Sequence, residues 1–433
     1  MSTGRPNGTG GRAASDRPSA GWSRADQLIL LAAVVAGIAI RVWLLPTEGL
    51  RGDIDQFVGW VHHIATQGLS TLYEGTDAGP VTFGPVMAYI WALLAAIQPA
   101  FATVTDASDP AIRALMKLPA SIADLGLAAL VVYALRDRPR WAASGGAVVL
   151  LVPATWYVSA WWGQYEAIFA LSAIAAVVAA IKGRNDLAAI LIAVSLMTKP
   201  QAIAFVIPFA AWFWATGGWR GVIRAGVLGG VTAAILWIPF LPTGPLGYLR
   251  NLGTYQNEIF NVLSLRAWNP WWILQVVAAG GDFIRDDVAI IGPFTFRHLG
   301  YLVTAILSVL IGLAIVRDAR PRTFVLGVVA SVLTIFTWMT QMHERYAYAA
   351  LVVVLLLIPD RSIRWFAAIL AVVITLNLIA AVPATPGLEA ALPVAGALGI
   401  VGSVVVVALS VLSLVWLQRD AADSPLLSRS PRP

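Results

Sequence analysis

LILLAAVVAGIAIRVWLLPTEGLRGDIDQFVGWVHHI, residues 28–64, joins two unlike halves. Up to Pro46 it is apolar apart from Arg41, long enough to cross the roughly 30 Å of bilayer hydrocarbon. From Arg51 on, Asp53, Asp55, His62 and His63 crowd together. The first half sets the fold class and the second poses the functional question. Why does the first loop after a membrane span carry the densest group of ionisable side chains?

The apolar pattern recurs along the chain. Of 433 residues, 59% are hydrophobic and only 12% charged, far from a soluble domain. Spans are predicted near 27–46, 82–104, 115–135, 143–161, 166–182, 186–199, 200–217, 221–241, 299–316, 323–341, 347–359, 364–384 and 392–417. The fold class is an all-α polytopic membrane protein with about 12 to 13 transmembrane segments. Backbone in lipid is satisfied only by helices or closed barrels, and the short alternating strands of a barrel are absent. The first apolar stretch, 28–40, starts too far in for a cleavable signal and stays as an anchor. Residues 1–26 and 419–433 read as cytoplasmic tails, the first disordered, flanking a membrane domain at 27–418.

The net charge of +6 resides mostly in short loops, which orient helices and make no case for nucleic acid. Lys182–Arg184, Trp219–Arg224, Arg317–Arg322 and Arg361–Arg364 all fall on the cytoplasmic side of a multi-pass inner-membrane protein. The loops 47–80 and 243–298, and the short segments near 162–165, 199 and 342–346, then share the extracytoplasmic side. For this to hold, one of 82–104, 115–135 or 143–161 must fail to span. Pro85, Pro99 and Pro153 point to the first or the last.

Four clusters on that side carry the chemistry. On a helix starting near Asp53, Phe57, Trp60 and Ile64 share one face, so the segment is expected to lie flat on the membrane. A carboxylate at its N-terminus is held as the anion by the helix dipole, although Asp53 equally fits a plain N-cap. Asp55 points about 200° away on such a helix and is a second candidate. Trp162-Gly163-Gln164-Tyr165-Glu166 supplies aromatic faces with amide and carboxylate groups, the composition of a sugar site; Glu166 also fits a helix start. Lys199-Pro200-Gln201 and His343-Glu344-Arg345-Tyr346 place ionisable groups between apolar helices. Such groups default to function, with snorkelling to the interface as the other reading. Arg41 is a weaker case of the same kind, and Asp124 lies well inside an apolar segment. Adjacent His62 and His63 point about 100° apart, poor geometry for a metal. With no Cys and four His a structural zinc site is not expected, and Gly229-Gly230 lacks the context of a nucleotide loop.

In this order the motifs resemble the GT-C superfamily of integral-membrane glycosyltransferases that use polyprenyl-phosphate sugars. The nearest likeness is to bacterial mannosyltransferases related to the second-mannose enzyme of GPI-anchor synthesis, and to dolichyl-phosphate-glucose glucosyltransferases. Gly52-Asp53 with Trp60 resembles the first-loop motif whose Asp is the catalytic base. Gly79-Pro80 through Gly84-Pro85-Val86 and Tyr89 resembles a Tyr-Pro-Pro-Leu…Tyr element, with Gly in place of the Tyr and a reduced Pro pair. Trp162 to Glu166 resembles Trp-Gly-Gln-x-Asp with Glu for Asp, and Ser264 through Trp268-Asn269 and Trp272 is similar to an Asn-x-Trp stretch in the last long outer loop. Lys199-Pro200-Gln201-Ala202 and His343 to Tyr346 match the bacterial pattern.

The resemblance implies an inverting hexosyltransferase, with mannose as the sugar. It implies a polyprenyl-phosphate donor, a lipid-linked or cell-envelope glycan acceptor, and no required cofactor. It implies Asp53 as base. Lys199, His343, Arg345 and Arg41 would hold the donor phosphate. Asp55, Trp60, Trp162, Gln164, Tyr165, Glu166, Gln201, Glu344, Trp268 and Asn269 would hold sugar or acceptor. A transporter or flippase is the rival, and would bring inverted repeats and charges at the bilayer midplane; no repeat is visible.

Overall fold

The structure, a computed structural model, describes residues 21–423. The start of the expected N-terminal tail and the end of the C-terminal one lie outside these residues.

The described residues are mostly helical. Helix α1 (Arg24–Leu44) is fixed at its start by a reciprocal cap between Ser23 and Asp26. Then come α2 (Arg51–Gln67), α3 (Pro85–Ile97), α4 (Pro110–Ala134), α5 (Pro139–Leu151) and α6 (Pro153–Trp156). Proline opens α3 to α6, where its missing N–H is harmless. At Pro153 the α5–α6 run bends by 45°, then widens into a single π-type turn over Tyr157–Trp162. Next are α7 (Glu166–Ile181), α8 (Asn185–Leu196) and α9 (Val206–Trp237), the last broken at Gly218, whose φ is 61°. Helices α10 (Gly244–Thr254) and α11 (Pro270–Ala279) lie in the long loop. The chain closes with α12 (Phe296–Arg317), α13 (Pro321–Trp338), α14 (Tyr348–Val353), α15 (Arg361–Ala381), α16 (Pro386–Ala391) and α17 (Ala397–Asp423). Four short strands stitch the loops. β1 (Ser264–Leu265) runs parallel to β4 (Met342–His343), and β2 (Ala289–Ile291) pairs with β3 (Phe294–Thr295).

Seven helical segments among the described residues are long and apolar enough to cross a membrane by themselves, eight counting the bent α5–α6 run. The remaining crossings use shorter apolar helices such as α7, α8 and α14. Helix α13 is buried on most sides, while α1, α9 and α12 expose Leu31, Val35, Val227, Ile235, Ile306 and Leu313. That outward apolar surface is the lipid-facing belt of a multi-pass membrane protein.

The basic loops gather at one end of the bundle. Lys182 stacks over Tyr133 at 4.5 Å and Arg364 over Trp141 at 4.5 Å. Arg224 pairs with Asp186, and Arg322 with both Asp360 and Asp420. Helix α3 resolves which segment fails to span. Its start is tied to the loop after α8, Gly84 N–H donating to the Thr198 carbonyl at 3.0 Å. The chain beyond its end returns to the same side. His62 contacts the Phe101 carbonyl at 2.8 Å, Ala107 N–H donates to Asp55, and Arg113 donates to the Pro46 carbonyl. Both ends of 82–104 are therefore on one face, while 115–135 lies in α4 and 143–161 crosses as the bent run. With α3 removed from the crossings, every basic loop falls opposite every candidate cluster.

Helix α3 also corrects the expected lie of α2. The Phe57, Trp60 and Ile64 face does not meet lipid; it packs on α3, with Trp60 and Trp91 ring centroids 5.2 Å apart and Phe57 against Phe83. The apolar stripe read as membrane-seeking is a protein core.

The face assignment is testable because the chain has no Cys. Cys placed at Asp77 or Glu258 is expected to react with an impermeant thiol reagent from outside intact cells. Cys at Arg184 or Ala319 is expected to react only after lysis. Labelling of all four from outside would refute the two-faced arrangement.

Candidate active site

Asp53 occupies the first turn of α2. Its Oδ2 accepts the Trp162 indole N–H at 2.9 Å and a bond from the Gln164 amide. Both donors are delivered by the turn that ends α6, which Gly163 terminates at φ 93°. A Cβ at position 163 would lie 3.1 Å from Lys117 and 3.2 Å from Ile54, so glycine suits both the backbone and the space. Two bonds to one oxygen hold the carboxylate in a single orientation and leave Oδ1 available for a proton.

Beside it lies a cluster of buried charge. Glu166, fully buried at the start of α7, accepts from Lys199 Nζ at 2.5 Å and from Arg345 Nε at 3.1 Å, both on Oε1. Arg345 also donates to Glu344 at 2.9 Å, contacts His343 Nδ1 at 3.2 Å and lies 4.9 Å over the Trp162 ring. Two cations thus meet two carboxylates, the arrangement that buried charge requires. Burial, opposed by Glu166, pushes the Lys199 ammonium down to about 8. Burial, with Arg345 and Lys199 adjacent, holds His343 well below the usual imidazole value, so at neutral pH it is a neutral donor and acceptor. Burial raises Glu344, against the pull of Arg345.

A cavity of about 670 Å³ opens over this assembly. Asp53, Trp60, Trp162, Gln164, Lys199, Gln201, His343, Glu344 and Arg345 line it. Four distant sequence motifs thus meet at one place. Among the described residues the buried Gln164 Oε1 has no hydrogen-bond partner.

Other expected site residues lie elsewhere. Arg41 does not reach the cavity; it turns into the helix bundle and pairs with Asp124 at 2.8 Å. Asp55 is bound to Arg51 at 3.1 Å and accepts Ala107 N–H, so it ties α2 to the loop before α4. Tyr165 is sealed in the aromatic core of α2 and α3, its hydroxyl bonded to the Met116 carbonyl. Glu166 stands behind the cavity wall as counter-ion. Asn269 caps α11 through the Trp272 backbone N–H, and Trp268 is fully buried with its backbone N–H donating to Asn377 Oδ1. These last two shape the loop.

Several lining residues escaped the sequence reading, among them Arg266. Arg266 is exposed, and its side chain donates to the Ala381 carbonyl at 2.9 Å with no carboxylate partner among the described residues. Its φ is 63°, a conformation costing a non-glycine residue about 1–3 kcal/mol and found mostly where function holds it. Its backbone bridges to His343 beside the β1–β4 pair, which fixes it over the cation cluster. The signal in sequence was an arginine two residues before Trp268-Asn269.

No protein-family model matches the sequence, and no curated protein matches it. Among solved structures, the chain is similar to ArnT from Cupriavidus metallidurans bound to undecaprenyl phosphate. The TM-score is 0.50 and the identity 15%, over 93% of this chain and 80% of that one. The likeness is one of fold, and with the helical layout it makes the chain an all-α polytopic membrane protein of GT-C fold.

The buried cluster makes a stability prediction. Glu166→Ala removes the carboxylate that Lys199 and Arg345 share, and breaking such a pair destabilises by about 3–5 kcal/mol. The variant is expected to melt well below the parent in detergent and to aggregate. A melting point equal to the parent's would disprove the charge-sharing role.

Proposed function

We propose that this protein is an inverting glycosyltransferase. It moves a hexose, mannose by the resemblance of its motifs, from a polyprenyl-phosphate sugar to a lipid-linked or cell-envelope glycan acceptor. The reaction takes place on the extracytoplasmic side of the inner membrane. The observation that carries the reading is Asp53, oriented by Trp162 and Gln164 on a cavity that also holds cations. The undecaprenyl phosphate bound to ArnT supports a polyprenyl-phosphate donor here.

In this reading the acceptor hydroxyl oxygen attacks the anomeric carbon. Its proton passes to Asp53 Oδ1, and the bond to the phosphate oxygen breaks with its electron pair leaving on polyprenyl phosphate. A single displacement inverts the anomeric centre and needs one base, so Asp55 is not required. The Gln164 and Gln201 amide oxygens accept hydrogen bonds from sugar hydroxyls. The leaving phosphate is held by Arg266, the lining arginine without a counter-ion among the described residues, which can grip it with two parallel bonds. Lys199 and Arg345, already shared with Glu166 and Glu344, add positive field, and neutral His343 adds a hydrogen bond.

Purified protein incubated with several polyprenyl-phosphate sugars and membrane lipid acceptors, followed by mass analysis, tests the reading. Asp53→Asn is expected to lower transfer about 10²- to 10⁴-fold while the protein stays folded. Arg266→Met removes a contact that strengthens as charge develops, worth about 2–4 kcal/mol, or a rate loss of about 30- to 1000-fold. Position 266 is a cleaner probe of phosphate binding than 199 or 345, because its exposed side chain can be neutralised without stranding a buried carboxylate. Near-parental transfer by Asp53→Asn would overturn the base assignment, and by Arg266→Met the phosphate assignment.

A further inference from the structure

Asp124 lies fully buried in α4, away from the cavity. Three elements converge on its carboxylate. From α1, Arg41 donates Nη2 at 2.8 Å and Nε at 3.1 Å to Oδ2. From the turn over Tyr157–Trp162, Ser159 Oγ donates to the same oxygen at 2.5 Å. From α14, the Tyr348 hydroxyl donates to Oδ1 at 2.5 Å. Arg41 is anchored in turn by the Leu150 carbonyl at 2.9 Å, where α5 ends, and Thr155 bonds the Val149 and Val152 carbonyls across the bend.

The positions of the two hydroxyl donors matter. Ser159 stands three residues before Trp162, which orients the base, and Tyr348 three residues after Arg345 of the cation cluster. Both arms of the site are thus fastened to one carboxylate. Every partner donates to it, so Asp124 acts as the acceptor on which all of them converge, with Arg41 as its counter-ion. A helix pair held only by apolar packing in lipid can slide, because lipid tails compete equally well for apolar contact. A four-donor ionic node cannot slide without leaving a charge unpaired in the membrane.

We propose that Asp124 is a positioning residue which, with Arg41, Ser159 and Tyr348, sets the separation between the base-bearing arm and the phosphate-binding arm. Asp124 touches no reacting atom and acts through Ser159 and Tyr348. The turnover part of the claim rests on the glycosyl-transfer reading; the coupling of the arms does not.

The test uses Tyr348→Phe and Ser159→Ala, each of which removes one hydroxyl and keeps the Arg41–Asp124 pair. Hydrogen–deuterium exchange is measured on the full chain in detergent without substrate. Tyr348→Phe is expected to speed exchange over 157–163, on the other arm, as well as around 348. Ser159→Ala is expected to speed exchange over 343–349, and covers the case where the first variant does not fold. With donor and acceptor, kcat is expected to fall about 10- to 100-fold, the effect of a small misplacement, with donor KM within about threefold. Exchange that rises only beside the substituted residue, or kcat equal to the parent's, would overturn the proposal. Coupled exchange in a protein that transfers no sugar would uphold the coupling and refute the glycosyl-transfer reading.

Discussion

A charge taken out of water must meet an opposite charge or be lost, and the site depends on that constraint. Glu166 is the point where it acts. Its one oxygen receives Lys199, from between α8 and α9, and Arg345, from between α13 and α14. Lys199 has its ion pair there, and Arg345 divides its charge between Glu166 and Glu344. The packing of α7 against α8 and α14 therefore has an ionic register as well as an apolar one. The residues around Glu166 inherit their places from that register. Trp162 lies under Arg345, and His343 beside it is kept neutral.

The sequence made the class of fold legible because lipid imposes one strong rule on backbone. It also made legible the common face of the four motifs, through the basic loops at the other end. What it left unresolved was the crossing that fails. The α3 segment is as apolar as a span, and composition cannot distinguish a helix that faces lipid from one buried against another helix. The same ambiguity misplaced the apolar face of α2, which meets Trp91 rather than membrane. In both cases the missing information was the identity of the partner surface.

Within the site, residue type was readable and residue partner was not. Asp53, Gln164, Lys199 and Arg345 stand together as their motifs suggested. Arg41 looked like a cation for a phosphate, and its partner Asp124, 83 positions away, was invisible to local reading. Asp55 carries the same functional group as Asp53, yet Arg51 and a backbone amide occupy it. Arg266 lies inside the stretch from Ser264 to Asn269, but the residues singled out there were the Trp and Asn that follow it. Those residues are buried supports, and the arginine before them takes the left-handed turn that puts it on the cavity.

The pairing of Lys199 and Arg345 with Glu166 and Glu344 has a consequence for how a ligand reaches the cavity. Adding Asp53 and Arg266 leaves three positive and three negative groups around it, so the site presents little net field at a distance. Long-range electrostatic capture, which salt weakens over about 10 Å at 0.1 M, has little part in filling it. A charged lipid would be recognised only at contact, by groups already desolvated and held in place. Its arrival would be governed by lateral diffusion in the bilayer and its affinity would be nearly indifferent to ionic strength, the reverse of a site that fishes for soluble anions with a basic rim.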